Sequence, residues 1–345
     1  MFLEVWLKAQ GNFDDTKLKG HPELHKIYVE LGYEDGKWAY FFNSSIENIY
    51  KIFLDLDEAY KDELKEKFHH NNNIEGICKD VAIEPITYRD IAAKQPKLAK
   101  ELKNFYGKLY GKDSPFNLKI FGFLSTQLIT DYDKQFMSAN NKGVCPFCAL
   151  SDLKGNNNSY REAYDHYLPK GLYPFNVLNF HNLSPMCNEC NSTYKLQENP
   201  IIKIDPITND KNRTKAFYPY ENNHPDVEIN IKLKSNDILN LEPADIDLTI
   251  VAKGDYVQEI ESWKRVFGLE ERYKAILCSQ NDGKSWFYSI YDEFENAVEL
   301  GHTNNVETYY QNIVKEAKKI PLSQRGFLKS KFLEECKERG LLDFH

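Results

Sequence analysis

The sequence predicts a mainly helical α+β protein in three parts: a helical N-terminal region (1–138), a central cysteine-bearing module (139–215) and an α+β C-terminal region (216–345). Three observations predict it. Apolar residues recur at helical spacing on both flanks, as in Ile46, Tyr50, Phe53 and Leu54. Two alternating runs, 227–231 and 246–250, read as strands with one buried face. Between the flanks, Cys145-Pro-Phe-Cys148 and Cys187-Asn-Glu-Cys190 repeat one spacing inside a segment rich in Asn, Gly and Pro.

In chain order, the first helical pattern is followed by a charged stretch from Asp55 to Lys67 and then by His69-His70-Asn71-Asn72-Asn73. The His69-His70 pair invites a metal reading, but adjacent residues point different ways on a helix and no third ligand is in register, so the polar run reads as a solvated loop. A second helical region covers about 86 to 110. From Ile86 to Lys119, eight basic residues (Arg89, Lys94, Lys97, Lys100, Lys103, Lys108, Lys112, Lys119) oppose Asp90, Glu101 and Asp113, and Phe105, Tyr106 and Tyr110 are interleaved. This is either a surface that tracks phosphates or a solvated helix face over aromatic core residues. After the two strands, helical patterns run over about 257–277, 290–299, 305–319 and 322–338, the last two also rich in lysine.

Composition narrows the class. A chain of 345 residues suggests two or three domains with ample core. No apolar run reaches the length that spans a bilayer, and the N-terminus does not read as a signal peptide, so a cytoplasmic location without a membrane partner is expected. The net charge of −8 argues mildly against a dedicated nucleic-acid binder. Seven cysteines, an odd number, argue against a disulfide framework, and Cys78, Cys278 and Cys336 read as small buried hydrophobes.

The other four cysteines suit one tetrahedral metal. Each CxxC turn aims two thiolates at a common point, and two turns complete a closed, structural Zn²⁺ site. A segment with so little core of its own should then depend on the metal to fold.

Between the cysteine pairs lie Tyr164-Asp165-His166-Tyr167-Leu168-Pro169-Lys170 and Asn182-Leu183-Ser184-Pro185, then Cys187-Asn-Glu-Cys190-Asn191 and Lys195. This constellation, about 145–195, resembles the HNH endonucleases, whose fold is the ββα-metal motif. The chemistry is reasonable on its own terms. Phosphodiester hydrolysis needs an activated water and a counter-charge for the leaving oxygen. Histidine takes a proton near neutral pH, and carboxylate and amide oxygens suit a hard cation. Neighbours on a strand point to opposite sides, so Asp165 and His166 can face metal and water separately.

The resemblance implies His166 as general base, Asp165 and Asn191 as ligands of a catalytic Mg²⁺ or Mn²⁺, and Asn182 as the residue that orients the His166 loop. The first position is Asp and the last Asn, a departure from the family's name that favours Mg²⁺ over a catalytic Zn²⁺. Lys195 and Arg161 are candidate phosphate contacts, although Lys195 could equally be solvated. Phe217-Tyr218-Pro219-Tyr220, Trp263 and the 267–273 stretch look similar to the tails of uncharacterised bacterial HNH proteins, some of them in anti-phage defence systems. The implied function is a metal-dependent endonuclease acting on DNA, with RNA not excluded. A defence partner such as an ATPase and an oligomeric state are also open. The alternative is a non-catalytic zinc-ribbon adaptor in a nucleic-acid complex.

Overall fold

The computed structural model describes all residues except 34–36, 110–121, 141–142, 155–157, 159–161, 302–304 and 343–345, and no side chain within 30–40 or 110–129. Arg161, Lys112 and Lys119 therefore lie outside the described residues. The chain is mainly helical, with small two-stranded antiparallel sheets, as the sequence predicts. It divides into two compact units that interleave along the sequence. One contains 1–139, 164–184 and 204–220; the other contains 140–163, 185–203 and 221–345.

The first unit is built on helices α1 (Pro22–Tyr33), α2 (Lys37–Leu54), α3 (Glu58–Asn72), α4 (Ile74–Lys79), α5 (Tyr88–Lys94), α6 (Pro96–Lys108) and α7 (Gly122–Ala139). Its core gathers Trp6, Ile46, Ile49, Phe53, Leu64 and Leu102, among others. Pro96 separates α5 from α6; it sits at the first position of α6, where its missing N–H costs no helical hydrogen bond. Thr87 and Asp90 close a capping box at the start of α5.

The run read as a solvated loop at 69–73 is instead the last turn of α3 and the cap of α4. Asn71 is fully buried. Its amide donates to the Ile86 carbonyl (3.0 Å) and accepts from the Ile86 N–H (2.8 Å), pairing with extended backbone as a strand would. Asn73 accepts from Gly76 N–H and caps α4. The polar residues are there because an amide satisfies backbone groups that would otherwise be buried unpaired.

The second unit carries the antiparallel pair of strands 227–233 and 246–252, with Ile229, Ile231 and Leu233 opposite Ile250, Leu248 and Ile246 on the buried face. Helices follow at α8 (Val257–Phe267), α9 (Leu269–Leu277), α10 (Gly283–Glu299), α11 (Val306–Lys319) and α12 (Gly326–Glu338). The single pattern over 257–277 breaks at Gly268, whose φ is +58°. A Cβ there would meet the Tyr194 ring at 2.3 Å, so glycine is required by backbone and neighbour alike. Glu335 of α12 fastens the strand pair by accepting from Leu233 N–H (3.0 Å) and pairing with Lys232 (2.7 Å).

Cys78 and Cys336 are buried, as expected of small hydrophobes, and Cys278 is half-buried. Among the described residues no helix is long and apolar enough to cross a membrane.

Candidate functional site

Strand β1 (Tyr164–His166) pairs with β2 (Leu183–Pro185), and both carry motif residues or their neighbours. His166 is buried, and its Nε2 lies 2.8 Å from the Val177 carbonyl oxygen. A carbonyl only accepts, so Nε2 carries the proton and the basic lone pair of the neutral ring sits on Nδ1. Asn182 is fully buried. Its Oδ1 accepts from Leu168 N–H (2.7 Å) and its Nδ2 donates to the Leu168 carbonyl (3.0 Å), a pair of hydrogen bonds to the backbone two residues after His166. Asp165 is half-exposed. Its carboxylate acts on Lys170, whose pKa is lowered by desolvation while Asp165 works to raise it.

The loop between β1 and β2 is part of the N-terminal core. Phe175 packs against Phe2 (4.5 Å between ring centroids) and Phe68 (5.5 Å). Asn72 donates to the Phe175 carbonyl, Asn179 donates to the Asn72 carbonyl, and Tyr88 N–H donates to the Leu172 carbonyl. The far side of the hairpin is held by tyrosines. The hydroxyls of Tyr132 and Tyr220 both donate to the Leu183 carbonyl, Tyr164 donates to Asp133, and Tyr218 shares a hydrogen bond with His181 Nδ1 (2.9 Å). Desolvation raises the pKa of Tyr218 to about 12, so this hydroxyl stays protonated at neutral pH. Residues 217–220, noted in the sequence only as a familiar tail, thus include one side chain that braces β2, Tyr220, and one that holds the turn before it, Tyr218.

The second unit contains the four cysteines. All are buried, none is in a disulfide, and their sulfurs lie within 4.8 Å of one another. Cys145 and Cys190 sulfurs are 3.9 Å apart, as are those of Cys148 and Cys187. A tetrahedron with metal–sulfur bonds of about 2.3 Å has edges of about 3.8 Å. The four cysteines are therefore close enough to hold one metal ion, and soft thiolates in that geometry suit zinc. Backbone N–H groups of Leu150, Cys187 and Cys190 point at sulfurs, as negative thiolates require. Hydrogen bonding among the four sulfurs lowers the pKa values of Cys148 and Cys187 and raises those of Cys145 and Cys190. Among the described residues no second group of three His, Cys, Asp or Glu side chains lies so close.

Helices α8 and α9 enclose the cysteine centre. Trp263 Nε1 donates to the Phe147 carbonyl (2.7 Å), Tyr273 to the Cys148 carbonyl (3.0 Å), and the Phe147 ring packs at a tilt against Phe267 (4.8 Å between centroids). Arg272, buried, reaches Cys190 Sγ at 3.2 Å and Glu189 at 2.7 Å, and lies over the Tyr194 ring. Desolvation works to lower the Arg272 pKa, and the Cys190 sulfur and Glu189 more than reverse it.

Asn191 and Lys195 belong to the same unit as the cysteines, on a wide helical turn, Cys190–Lys195, closed by Leu196 N–H to the Asn191 carbonyl. Glu189 precedes the turn, so Asn191 is not its N-cap. Asn191 is half-exposed, and Lys195 is fully buried instead of solvated.

This chain is similar to a Septu protein, PtuB, of Bacillus thuringiensis. The two are 35% identical over 82 residues, 23% of this chain and 30% of that protein. The match thus spans less than a third of the relative's length. No family model matches the chain, and no solved structure does.

Proposed function

We propose that this protein is a metal-dependent HNH-type endonuclease that hydrolyses DNA within an anti-phage defence system. The observation that carries this reading is the His166 imidazole, fixed by Val177 with its basic lone pair on Nδ1, on the strand that also carries Asp165. A base held in one tautomer can take a proton from water without first reorganising. The Asn182 clamp on Leu168 keeps the strand end in place while it does so. The motif assigns Asp165 to Mg²⁺ or Mn²⁺, whose oxygen preference its carboxylate matches. That ion, when bound, supplies charge stabilisation at the leaving oxygen. The defence context rests on the likeness to the Septu protein, and with it the proposal of a partner from the same system.

Zinc in the cysteine centre is structural in this reading, because four sulfurs leave no open coordination position. Arg272 offsets part of the negative charge that four thiolates leave around the ion. Arg272→Met should weaken zinc affinity by about 10- to 100-fold, the usual cost of an outer-sphere partner. Competition with a chromophoric chelator measures it, and an unchanged affinity would remove Arg272 from that role.

The direct test is cleavage of plasmid DNA by the purified chain. Nicking should require added Mg²⁺ or Mn²⁺ and stop on EDTA treatment that leaves one equivalent of zinc bound. Cleavage that persists under those conditions contradicts the oxygen-ligated cation. A folded, zinc-loaded protein that never cuts points to the adaptor role.

A further inference from the structure

We infer that the exposed lysine face of α6 is the surface that tracks the phosphate backbone of duplex DNA. The inference rests on the nuclease reading and names the surface that serves it.

Helix α6 has two unlike faces. Leu98, Ala99, Leu102, Phe105 and Tyr106 are buried. Lys97, Lys100, Lys103 and Lys108 are exposed, with only Asn104 and Gly107 among them. Lys97, Lys100 and Lys103 are three apart and share a face, and Lys108, about three turns beyond Lys97, returns close to its line. From Lys97 to Lys108 the strip runs about 17 Å at 1.5 Å per residue. That length matches about five base-pair steps of duplex at 3.4 Å each. The one carboxylate on the helix, Glu101, is half-buried at the edge of the strip.

Pairing is one difference from the other basic stretch, where three of the six lysines on α11 and α12 meet carboxylates and Lys315, Lys319 and Lys329 form no ion pair among the described residues. On α11 and α12, Lys318 pairs with Glu334, Lys331 with Glu228 and Glu334, and Lys337 with Glu307. Arg325, just before α12, pairs with Asp282. A carboxylate that already neutralises a lysine must be displaced before a phosphate can take its place. On the α5–α6 pair, Lys94 meets Glu63. Lys97, Lys100, Lys103 and Lys108 form no ion pair among the described residues, and Lys108 lies over the Phe41 ring. An overall charge of −8 makes an uncompensated strip of this length a local exception that attracts a polyanion.

The strip also belongs to the unit that holds His166. Tyr88, the first residue of α5, donates its N–H to the Leu172 carbonyl (2.9 Å), in the loop that follows the histidine strand. Asn71 and the paired Ile86 backbone fix the approach to α5 from the other side. A phosphate chain bound along α6 is therefore held by the same framework that holds the base.

The test replaces Lys97, Lys100 and Lys103 together by Gln, in a His166→Ala parent so that binding is read without cleavage. Lys108 is left in place because its stem packs on Phe41. Affinity for a 30-bp mixed-sequence duplex is measured by anisotropy at several salt concentrations. Counterion release gives a slope of about 0.9 per neutralised phosphate, so the triple variant should lose about 2 to 3 from the slope of log K against log salt. Replacing the same lysines by Arg should keep the parent slope, which excludes a fold defect. The same slope and affinity in the Gln variant and its parent overturns the surface, and wild type that still cuts then leaves the nuclease standing. Wild type that neither binds nor cuts any duplex overturns both.

Discussion

Replacing Cys187 by Ser should release the metal and lower the melting temperature of the second unit by about 10–15 °C. Cys187 is buried, its sulfur sits 3.9 Å from that of Cys148, and it accepts from the Cys190 N–H. A serine hydroxyl is shorter, harder and protonated at neutral pH, so it does not replace a thiolate ligand. Structural zinc contributes about 10–16 kcal/mol to small zinc folds. Losing roughly a third of that, about 4–5 kcal/mol, corresponds to the stated shift for a unit of this size. The loss should spread, because Trp263, Arg272 and Tyr273 all bond to the cysteine segments. Scanning calorimetry with metal analysis of the same sample checks it. A Cys187→Ser protein that keeps one equivalent of zinc and the parent melting temperature would show that the four cysteines are not the anchor.

His166→Ala should cut turnover by about 10²- to 10⁴-fold, the usual contribution of a general base. Stability should fall much less. The variant leaves the Val177 carbonyl without its donor, at a cost of about 1–3 kcal/mol. The hairpin keeps the Asn182 bonds to Leu168, the tyrosine bonds to Leu183 and the Phe175 packing. The decisive comparison is turnover per folded molecule, with folding checked by calorimetry and near-ultraviolet dichroism. Parent-like turnover in a folded variant would remove His166 from the chemistry. Asn182→Ala provides a contrast: it should reduce both stability and rate, since it removes two buried hydrogen bonds that hold the strand end.

Parts of this protein were legible because the relevant physics is local. Alternation over 227–231 and 246–250 gave two strands with one buried face, and the structure pairs them with the apolar residues together. Two CxxC turns are enough to bring four sulfurs into one cluster, since spacing within each turn already aims the thiolates. Other parts misled. The run from His69 to Asn73 looked like loop because five polar residues interrupt the apolar pattern and offer no ligand set for a metal. Distant backbone at Ile86 and Phe175 and the side-chain amide of Asn179 supply the hydrogen bonds that make it helix end and clamp. Arg272 stood out only as part of the 267–273 stretch, and its role was not legible, because a lone Arg on an amphipathic helix looks the same whether it meets solvent or a sulfur 82 residues away.

The sequence by itself determined the helical class, the strand pair and the cysteine cluster, all of which follow from side-chain period and short ligand spacing. Only the tertiary structure decided that the His166 hairpin is built into the N-terminal helical core and that Lys318, Lys331 and Lys337 of α11 and α12 meet carboxylates while Lys97, Lys100 and Lys103 of α6 do not. The physical reason is one of range. Period and turn geometry act over a few residues and are written in consecutive letters. Which carboxylate or carbonyl comes to face a given side chain is fixed by chain segments tens to more than a hundred residues apart, and composition is blind to that choice.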